Sequence, residues 1–180
     1  MSNLISIQPY QSLQPSETLM SGLDAVFFAT SNTQEFANEA ARQEFRERWL
    51  GRYLRHDPNW AYVAVAANGA VVGYLVASVS DPALTPRFAD IAYFSVFKDL
   101  TQRFPAHLHV NLAAEFRSAG LGSRLIKRFV EDAQRAGVPG VHVVTSRGSR
   151  NVAFYERNGF WEHGATGEGA RAVVFLARAL

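Results

Sequence analysis

The sequence of 180 residues contains no cysteine. This absence excludes disulfide bonds, a thiolate nucleophile and zinc sites built on cysteine. No stretch approaches the roughly 18 consecutive apolar residues that identify a membrane-spanning helix. Residues 1–17 also lack the basic and apolar segments of a secretory leader. We therefore expect a protein with no membrane partner that resides in the cytoplasm.

A surplus of charge of one sign is also missing. The 18 lysine and arginine residues are nearly balanced by 16 aspartate and glutamate residues, for a net charge of +2. The basic side chains are scattered along the sequence rather than clustered. Because binding to nucleic acid generally requires a concentrated basic surface, this composition argues against a nucleic-acid partner.

The chain does have a hydrophobic content of 48%. A chain of this length can form one hydrophobic core of ordinary size and is too short for two domains of typical size. We expect a single domain over residues 1–180, with an insertion at about residues 80–105 that contains several prolines and one short helix.

Hydrophobic periodicity predicts the order of the elements. Apolar residues recur every four positions between Thr33 and Asp57, which predicts an amphipathic helix. Two β-type runs flank Asn68-Gly69 and predict an antiparallel hairpin. The other predicted elements are a strand at 5–7, a helix start at Ser16, a strand at 107–113, a helix from Leu121, a strand at 141–145, a helix at 151–158 and a strand at 173–176. The pattern predicts an α/β fold with a single mixed sheet.

The loop Arg117-Ser118-Ala119-Gly120-Leu121-Gly122, between a strand and a helix, is suited to bind an anion. A helix N-terminus presents unsatisfied main-chain N–H groups and a partial positive charge, which attract phosphate. The glycines let the main chain approach a ligand closely, and Arg117 adds a formal charge. Taken alone, a Gly-x-Gly after a strand is more often only a turn.

A second motif, Asn151-Val152-Ala153-Phe154-Tyr155 with Gly159-Phe160, follows the next strand. Together the two motifs resemble those of the GCN5-related N-acetyltransferase superfamily, whose signature is an Arg/Gln-x-x-Gly-x-Gly/Ala loop and an Asn-x-x-Ala/Phe-Tyr segment. The resemblance covers roughly residues 60–163. Residues 105–112 and 140–143 look like the branch containing the acetyltransferase-like domain of O-GlcNAcase and its free-standing bacterial relatives.

The resemblance implies an acyl-CoA N-acyltransferase fold, with a mostly antiparallel central sheet flanked by helices. It implies acetyl-CoA as cosubstrate, no metal, and direct transfer of the acetyl group to a primary amine of a small molecule in a ternary complex. Main-chain amides of the loop would bind the pyrophosphate, and the end of the preceding strand would pair with pantetheine. The implied cofactor residues are Leu112, Ala113, Arg117, Ser118, Ala119, Gly120, Leu121, Gly122, Ser123, Asn151, Phe154 and Tyr155.

Tyr155 is the residue that the resemblance implies as the acid for the departing thiolate. A phenol with a pKa of about 10 stays protonated at neutral pH. The residues alone are equally consistent with Tyr155 as a packing residue beside Phe154 and Phe160. Asn151 is likewise consistent with a helix cap next to Ser149.

Candidates for the group that accepts the amine proton lie on one strand. His107, His109 and Asn111 occupy alternate positions and therefore share a face. Imidazole, with a pKa of about 6.5, suits proton transfer, so His109 and Asn111 are taken as catalytic candidates beside Tyr155. Either histidine is also consistent with a hydrogen-bonded core residue. In the branch named above an aspartate often stands at the position of Asn111, and an amide cannot act as a base.

The resemblance also implies an acceptor cleft around residues 27–32, together with Tyr93 or Phe94. The same aromatic residues are consistent with a hydrophobic core.

The main alternative to an active enzyme is a catalytically inactive module that binds acetyl-CoA or another ligand. A third hypothesis is a protein acetyltransferase. A homodimer is compatible with the sequence, which leaves the oligomeric state open.

Overall fold

The structure, a computed structural model, describes residues 5–180. The strands are β1 (Ser6–Pro9), β2 (Ala61–Val65), β3 (Val71–Ser78), β4 (Ala106–Leu112), β5 (Gly140–Ser146), β6 (Trp161–Thr166) and β7 (Val173–Ala179). The helices are α1 (Glu17–Thr30), α2 (Glu39–Arg46), α3 (Arg52–His56), α4 (Ala92–Val96), α5 (Lys98–Arg103), α6 (Leu121–Arg135) and α7 (Arg150–Arg157). A π-helical turn, Glu47–Gly51, joins α2 directly to α3.

The strand order is β1-β2-β3-β4-β5-β7-β6. The β4–β5 pair is parallel, with His107 opposite His142. The pairs β1–β2, β2–β3, β5–β7 and β6–β7 are antiparallel. The prediction of a mixed, mostly antiparallel sheet in an α/β fold is therefore confirmed.

The chain divides into two compact units. The first comprises residues up to Ala77 together with His109–Phe129, and the second comprises Ser78–Leu108 together with Val130–Leu180. Strand β4 contributes its first three residues to the second unit and its last four to the first. A single domain over residues 1–180 stays a prediction.

Two helices of the first unit begin at side-chain caps. The Ser16 side chain accepts a hydrogen bond from the Leu19 N–H at 3.1 Å, so α1 begins where the sequence predicts. Its buried face carries Leu19, Leu23, Val26 and Phe27. The Asn38 side chain caps α2 by accepting from the Ala41 N–H at 2.9 Å. The amphipathic helix predicted between Thr33 and Asp57 therefore begins only at Glu39, because the chain before the Asn38 cap is not helical.

The second unit has an aromatic core. Phe97, Phe104, Phe175 and Ala177 form a buried cluster. The His142 ring stacks on Phe175, with ring centroids 4.4 Å apart. Burial of these large rings stabilises this unit.

Two features of the second unit differ from the predictions. The insertion carries two short helices, α4 and α5, instead of one, because the chain departs from helical geometry at Phe97, with φ −95° and ψ 21°. Strand β6 was not predicted. It lies at the edge of the sheet, most of its residues are exposed, and its register shifts between Glu162 and Gly164. Its sequence therefore lacks the alternation that marks a half-buried strand.

None of the helices within residues 5–180 combines the length and the apolar character needed to cross a membrane.

Candidate active site

The predicted anion-binding loop has an unusual main-chain conformation immediately before α6. Ser118 has φ +64° and Gly120 has φ +76°. Within residues 5–180, Ser118 is the one residue other than glycine with a positive φ. Turns of this kind at a helix start orient successive N–H groups toward one point. Residues 118–120 are exposed, so these N–H groups are accessible to a ligand.

Arg117 connects this loop to the end of β4. Its Nε donates a hydrogen bond to the Leu112 carbonyl at 3.1 Å. The Phe116 N–H donates to the Ala113 carbonyl at 3.0 Å and closes a short helical turn, Ala114–Phe116. Arg117 therefore has a structural contact in addition to its predicted contact with a pyrophosphate.

The end of β4 packs closely on β3. The Ala113 N–H donates to the Val72 carbonyl at 3.0 Å, so both main-chain groups of Ala113 are engaged within the first unit. Its pairing with pantetheine stays a prediction without support from these hydrogen bonds. A Cβ at Gly73 would overlap the Leu112 side chain and lie 3.0 Å from the Asn111 carbonyl oxygen. Only glycine lets the two strands approach this closely, and sequence reasoning did not identify Gly73.

His109 lies among aromatic side chains of the first unit. Its Nε2 shares a hydrogen bond of 3.1 Å with the Tyr53 hydroxyl. The Trp49 and Tyr53 rings stand edge-on to the imidazole, at 5.3 and 5.2 Å between ring centroids. Burial, and secondarily the positive charge of Arg52, lower the pKa of His109 from 6.5 to about 4. At neutral pH the ring is therefore uncharged.

Asn111 belongs to a second polar group in the same unit. Its side-chain amide donates to the Tyr74 hydroxyl at 2.7 Å. Nearby, Arg46 Nε donates to Asp24 Oδ1 at 2.7 Å. Burial raises the pKa of Tyr74 well above its ordinary value, and the Asn111 hydrogen bond opposes that shift. A protonated tyrosine here gives Asn111 a fixed neutral partner.

His107 has different surroundings, although it is two residues from His109. It is 2% exposed. Its ring stands edge-on to Phe88, with centroids 4.7 Å apart, and tilts against Phe94 at 5.1 Å. These contacts favour the core alternative for His107, and Phe94, one of the two acceptor candidates in the insertion, is 3% exposed in the same core.

Asn151, Phe154 and Tyr155 lie on α7 in the second unit. Tyr155 is 8% exposed and packs between Phe154 and Phe160, at 5.2 and 5.6 Å between ring centroids. Burial raises the pKa of Tyr155 well above its ordinary value. Ser149 occupies the N-cap position of α7 and makes no side-chain capping bond. Asn151 is the second residue of the helix, and it is exposed. The capping alternative for Asn151 is therefore wrong.

The predicted site residues fall into two groups. His109, Asn111, Leu112, Ala113, Arg117, Ser118, Ala119, Gly120, Leu121, Gly122 and Ser123 belong to the first unit. The three residues of α7 belong to the second. The catalytic and cofactor roles of both groups stay predictions.

A pocket of about 420 Å³ lies in the first unit where the chain passes from α1 to α2. It is lined by Phe28, Thr33, Gln34, Phe36, Asn38, Glu39 and Arg42. The Arg42 guanidinium lies 3.7 Å from the centre of the Phe28 ring. Of the predicted acceptor segment 27–32, Phe28 lines this pocket, whereas Phe27 is 3% exposed and belongs to the core.

Many solved structures have the same fold, among them the following three. The crystal structure of SsHAT is 20% identical with a TM-score of 0.72, and the match covers 97% of this chain and 98% of that chain. The polyamine N-acetyltransferase of Drosophila melanogaster, which catalyses the formation of N-acetylagmatine, is 18% identical with a TM-score of 0.67, covering 98% and 100%. A chain of the NatC complex bound to Gag peptide and CoA is 15% identical with a TM-score of 0.65, covering 98% of each chain.

The model of the Acetyltransferase (GNAT) family matches residues 27–160, most of the chain. This range includes both motifs that carry the resemblance. The chain belongs to the Acetyltransferase (GNAT) family and is an acetyl-CoA-dependent N-acetyltransferase.

Proposed function

We propose that this acetyltransferase acetylates a primary amine of a small molecule, by direct attack of the amine on acetyl-CoA in a ternary complex. The main support is the loop Arg117–Ser123. Its two positive-φ residues stand immediately before the 15-residue helix α6, and its arginine ties it to β4. A helix start of this form suits the pyrophosphate of coenzyme A.

The chemistry needs a neutral amine and a proton for the leaving sulfur. The amine nitrogen attacks the thioester carbonyl carbon, and the C–S bond breaks as the tetrahedral intermediate collapses. The departing sulfur takes a proton from Tyr155, which regains one from solvent. The raised pKa of Tyr155 keeps the phenol protonated at neutral pH. His109, with a pKa of about 4, is uncharged and can accept a hydrogen bond from the amine. Because it holds a proton poorly, we expect the amine proton to pass on to solvent.

The pocket near the start of α2 is a candidate for the acceptor, because Phe28 of the predicted acceptor segment lines it. Its volume of about 420 Å³ lies within the range of sites for small molecules. Its lining is mixed, since the rings of Phe28 and Phe36 accompany the Glu39–Arg42 ion pair of 3.4 Å. This balance suits an amine attached to an apolar body.

Membership of the branch that contains the O-GlcNAcase acetyltransferase-like domain stays a prediction. A homodimer also stays a prediction.

The test is Tyr155→Phe, assayed for coenzyme A release with a panel of primary amines. We expect kcat to fall about 100-fold, in the range for loss of a positioned acid, while the KM for acetyl-CoA stays within about twofold. Tyr62→Phe is the matched control, because Tyr62 is also buried, at 2% exposure, and has no proposed role. Unchanged turnover in Tyr155→Phe would exclude the acid role.

The same panel tests the main alternative. Calorimetric binding of acetyl-CoA without acetylation of any amine would support an inactive ligand-binding module. Absence of acetyl-CoA binding by the pure protein would contradict the assignment of the loop itself.

A further inference from the structure

The hydrogen bond between Tyr53 and His109 leaves the imidazole with one nitrogen to offer a substrate. Tyr53 is fully buried, at 0% exposure, and reaches His109 from a position 56 residues earlier in the chain. Its hydroxyl engages Nε2 at 3.1 Å. The edge-on rings of Trp49 and Tyr53 restrict rotation of the imidazole. Nδ1 is therefore the nitrogen that remains for another partner.

The π-helical turn Glu47–Gly51 brings both aromatic residues to the same imidazole. Trp49 lies within this turn, and Tyr53 follows two residues after its end. Gly51 is buried, and a Cβ there would overlap the Glu47 carboxylate. Glu47 in turn pairs with Arg55 at 2.6 Å. Single π turns inside helices often occur at functional sites, and here the turn shapes the surroundings of one candidate catalytic residue.

The charges around His109 favour its neutral form. Arg52, on the same helix as Tyr53, is the charged group that acts on the ring, and its positive charge opposes protonation. Tyr53 and Trp49 are neutral. On β4, the strand of His109, the neighbouring side chain Asn111 is uncharged and hydrogen-bonded to Tyr74. Burial acts in the same direction as Arg52.

We propose that Tyr53 is a positioning residue for acetyl transfer, which holds His109 through Nε2 so that Nδ1 accepts a hydrogen bond from the acceptor amine. In this arrangement Nε2 carries the ring hydrogen and donates a hydrogen bond to the Tyr53 oxygen. Nδ1 must then be unprotonated, because only an unprotonated nitrogen can accept a hydrogen bond. Fixing the ring in one tautomer keeps the acceptor nitrogen in place before the amine arrives. The inference rests on the proposed function, since it assigns His109 to the amine.

The first experiment needs no activity. Nitrogen-15 NMR of the histidine side chains, assigned with His109→Gln, reports the tautomer of His109 in the free protein. We expect the Nε2–H tautomer at pH 7 in wild type and in the control Tyr62→Phe, and a mixture of tautomers in Tyr53→Phe. A wild-type ring with its hydrogen on Nδ1, or a tautomer that Tyr53→Phe does not change, would overturn the proposal.

The second experiment measures coupling between the two side chains. We expect Tyr53→Phe to lower kcat/KM for the amine about tenfold, with the KM for acetyl-CoA unchanged, and to cause no further loss in a His109→Gln background. Equal losses in both backgrounds would show a structural effect and overturn the proposal. If wild type acetylates no amine, the proposed function fails, whereas the NMR result still decides whether Tyr53 sets the tautomer.

Discussion

His107 and His109 occupy alternate positions of β4, yet they belong to different units and differ in burial and in hydrogen bonding. His107 is 2% exposed and packs against Phe88 and Phe94. His109 is half-buried and shares a hydrogen bond with the Tyr53 hydroxyl. Strand position and residue type therefore do not define the surroundings of a histidine. The side chains packed against it from other elements do.

Replacing each histidine by alanine tests this contrast most strongly. We expect His107→Ala to lower the free energy of unfolding by about 3 kcal/mol, since it leaves a cavity among buried rings. His109→Ala should cost about 1 kcal/mol, because the side chain is only half-buried, but should lower turnover more. Urea unfolding and steady-state kinetics measure the two effects. A larger stability loss for His109→Ala would reverse the comparison.

Two glycines extend the comparison to the main chain. A Cβ at Gly73 would collide with Leu112 in the first unit, and a Cβ at Gly140 would lie 2.5 Å from the Phe104 ring in the second. We expect each alanine variant to lose about 2 kcal/mol from overpacking. Only Gly73→Ala should also weaken acetyl-CoA binding, several-fold, because it displaces the end of β4. Calorimetric titration of both folded variants measures this, and equal affinities would separate Gly73 from the cofactor site.

The smallest expected effect concerns acid stability. The pKa of His109 is 6.5 when exposed and about 4 in the folded protein, so the unfolded state binds protons more readily. This contribution to stability is complete above pH 6.5 and is lost as the pH falls toward 4. At pH 5 the full pKa shift would lower the free energy of unfolding by about 2 kcal/mol. We expect a loss of about 1 kcal/mol after allowing for solvent screening of a half-buried ring.

Urea unfolding of wild type and His109→Gln at pH 7 and pH 5 isolates the contribution of His109 to the pH dependence of stability, since the remaining histidines are common to both proteins. Wild type should lose about 1 kcal/mol more than the variant over this interval. Equal losses would mean that His109 titrates near its ordinary pKa.

Local patterns predicted most of the fold. The stripe Leu121, Leu125 and Phe129 predicted the buried face of α6, and all three side chains are at most 2% exposed. Asn68-Gly69 correctly predicted the hairpin between β2 and β3, with Gly69 at φ +84°. Strand β6 could not be predicted in the same way, because an exposed edge strand needs no apolar alternation.

The sequence could predict the candidate site only where one short segment would form it. The loop from Arg117 combines strand, glycines and helix start within a few residues, so its sequence contains the signal. The Tyr53–His109 bond joins positions 56 residues apart, and no local pattern specifies such a contact. Gly73 gave a weak signal, as a glycine inside a β-type run, which suggests that another main chain approaches closely there.

Arg117 ties the predicted anion-binding loop to the Leu112 carbonyl in the folded protein. This contact restricts the loop when the chain folds, so under the proposed function less conformational entropy is left to be lost when coenzyme A binds. Under the proposed function, coenzyme A would meet a loop whose main chain is already tied to β4. The same arginine can strengthen binding without touching the ligand, through the order that it imposes beforehand.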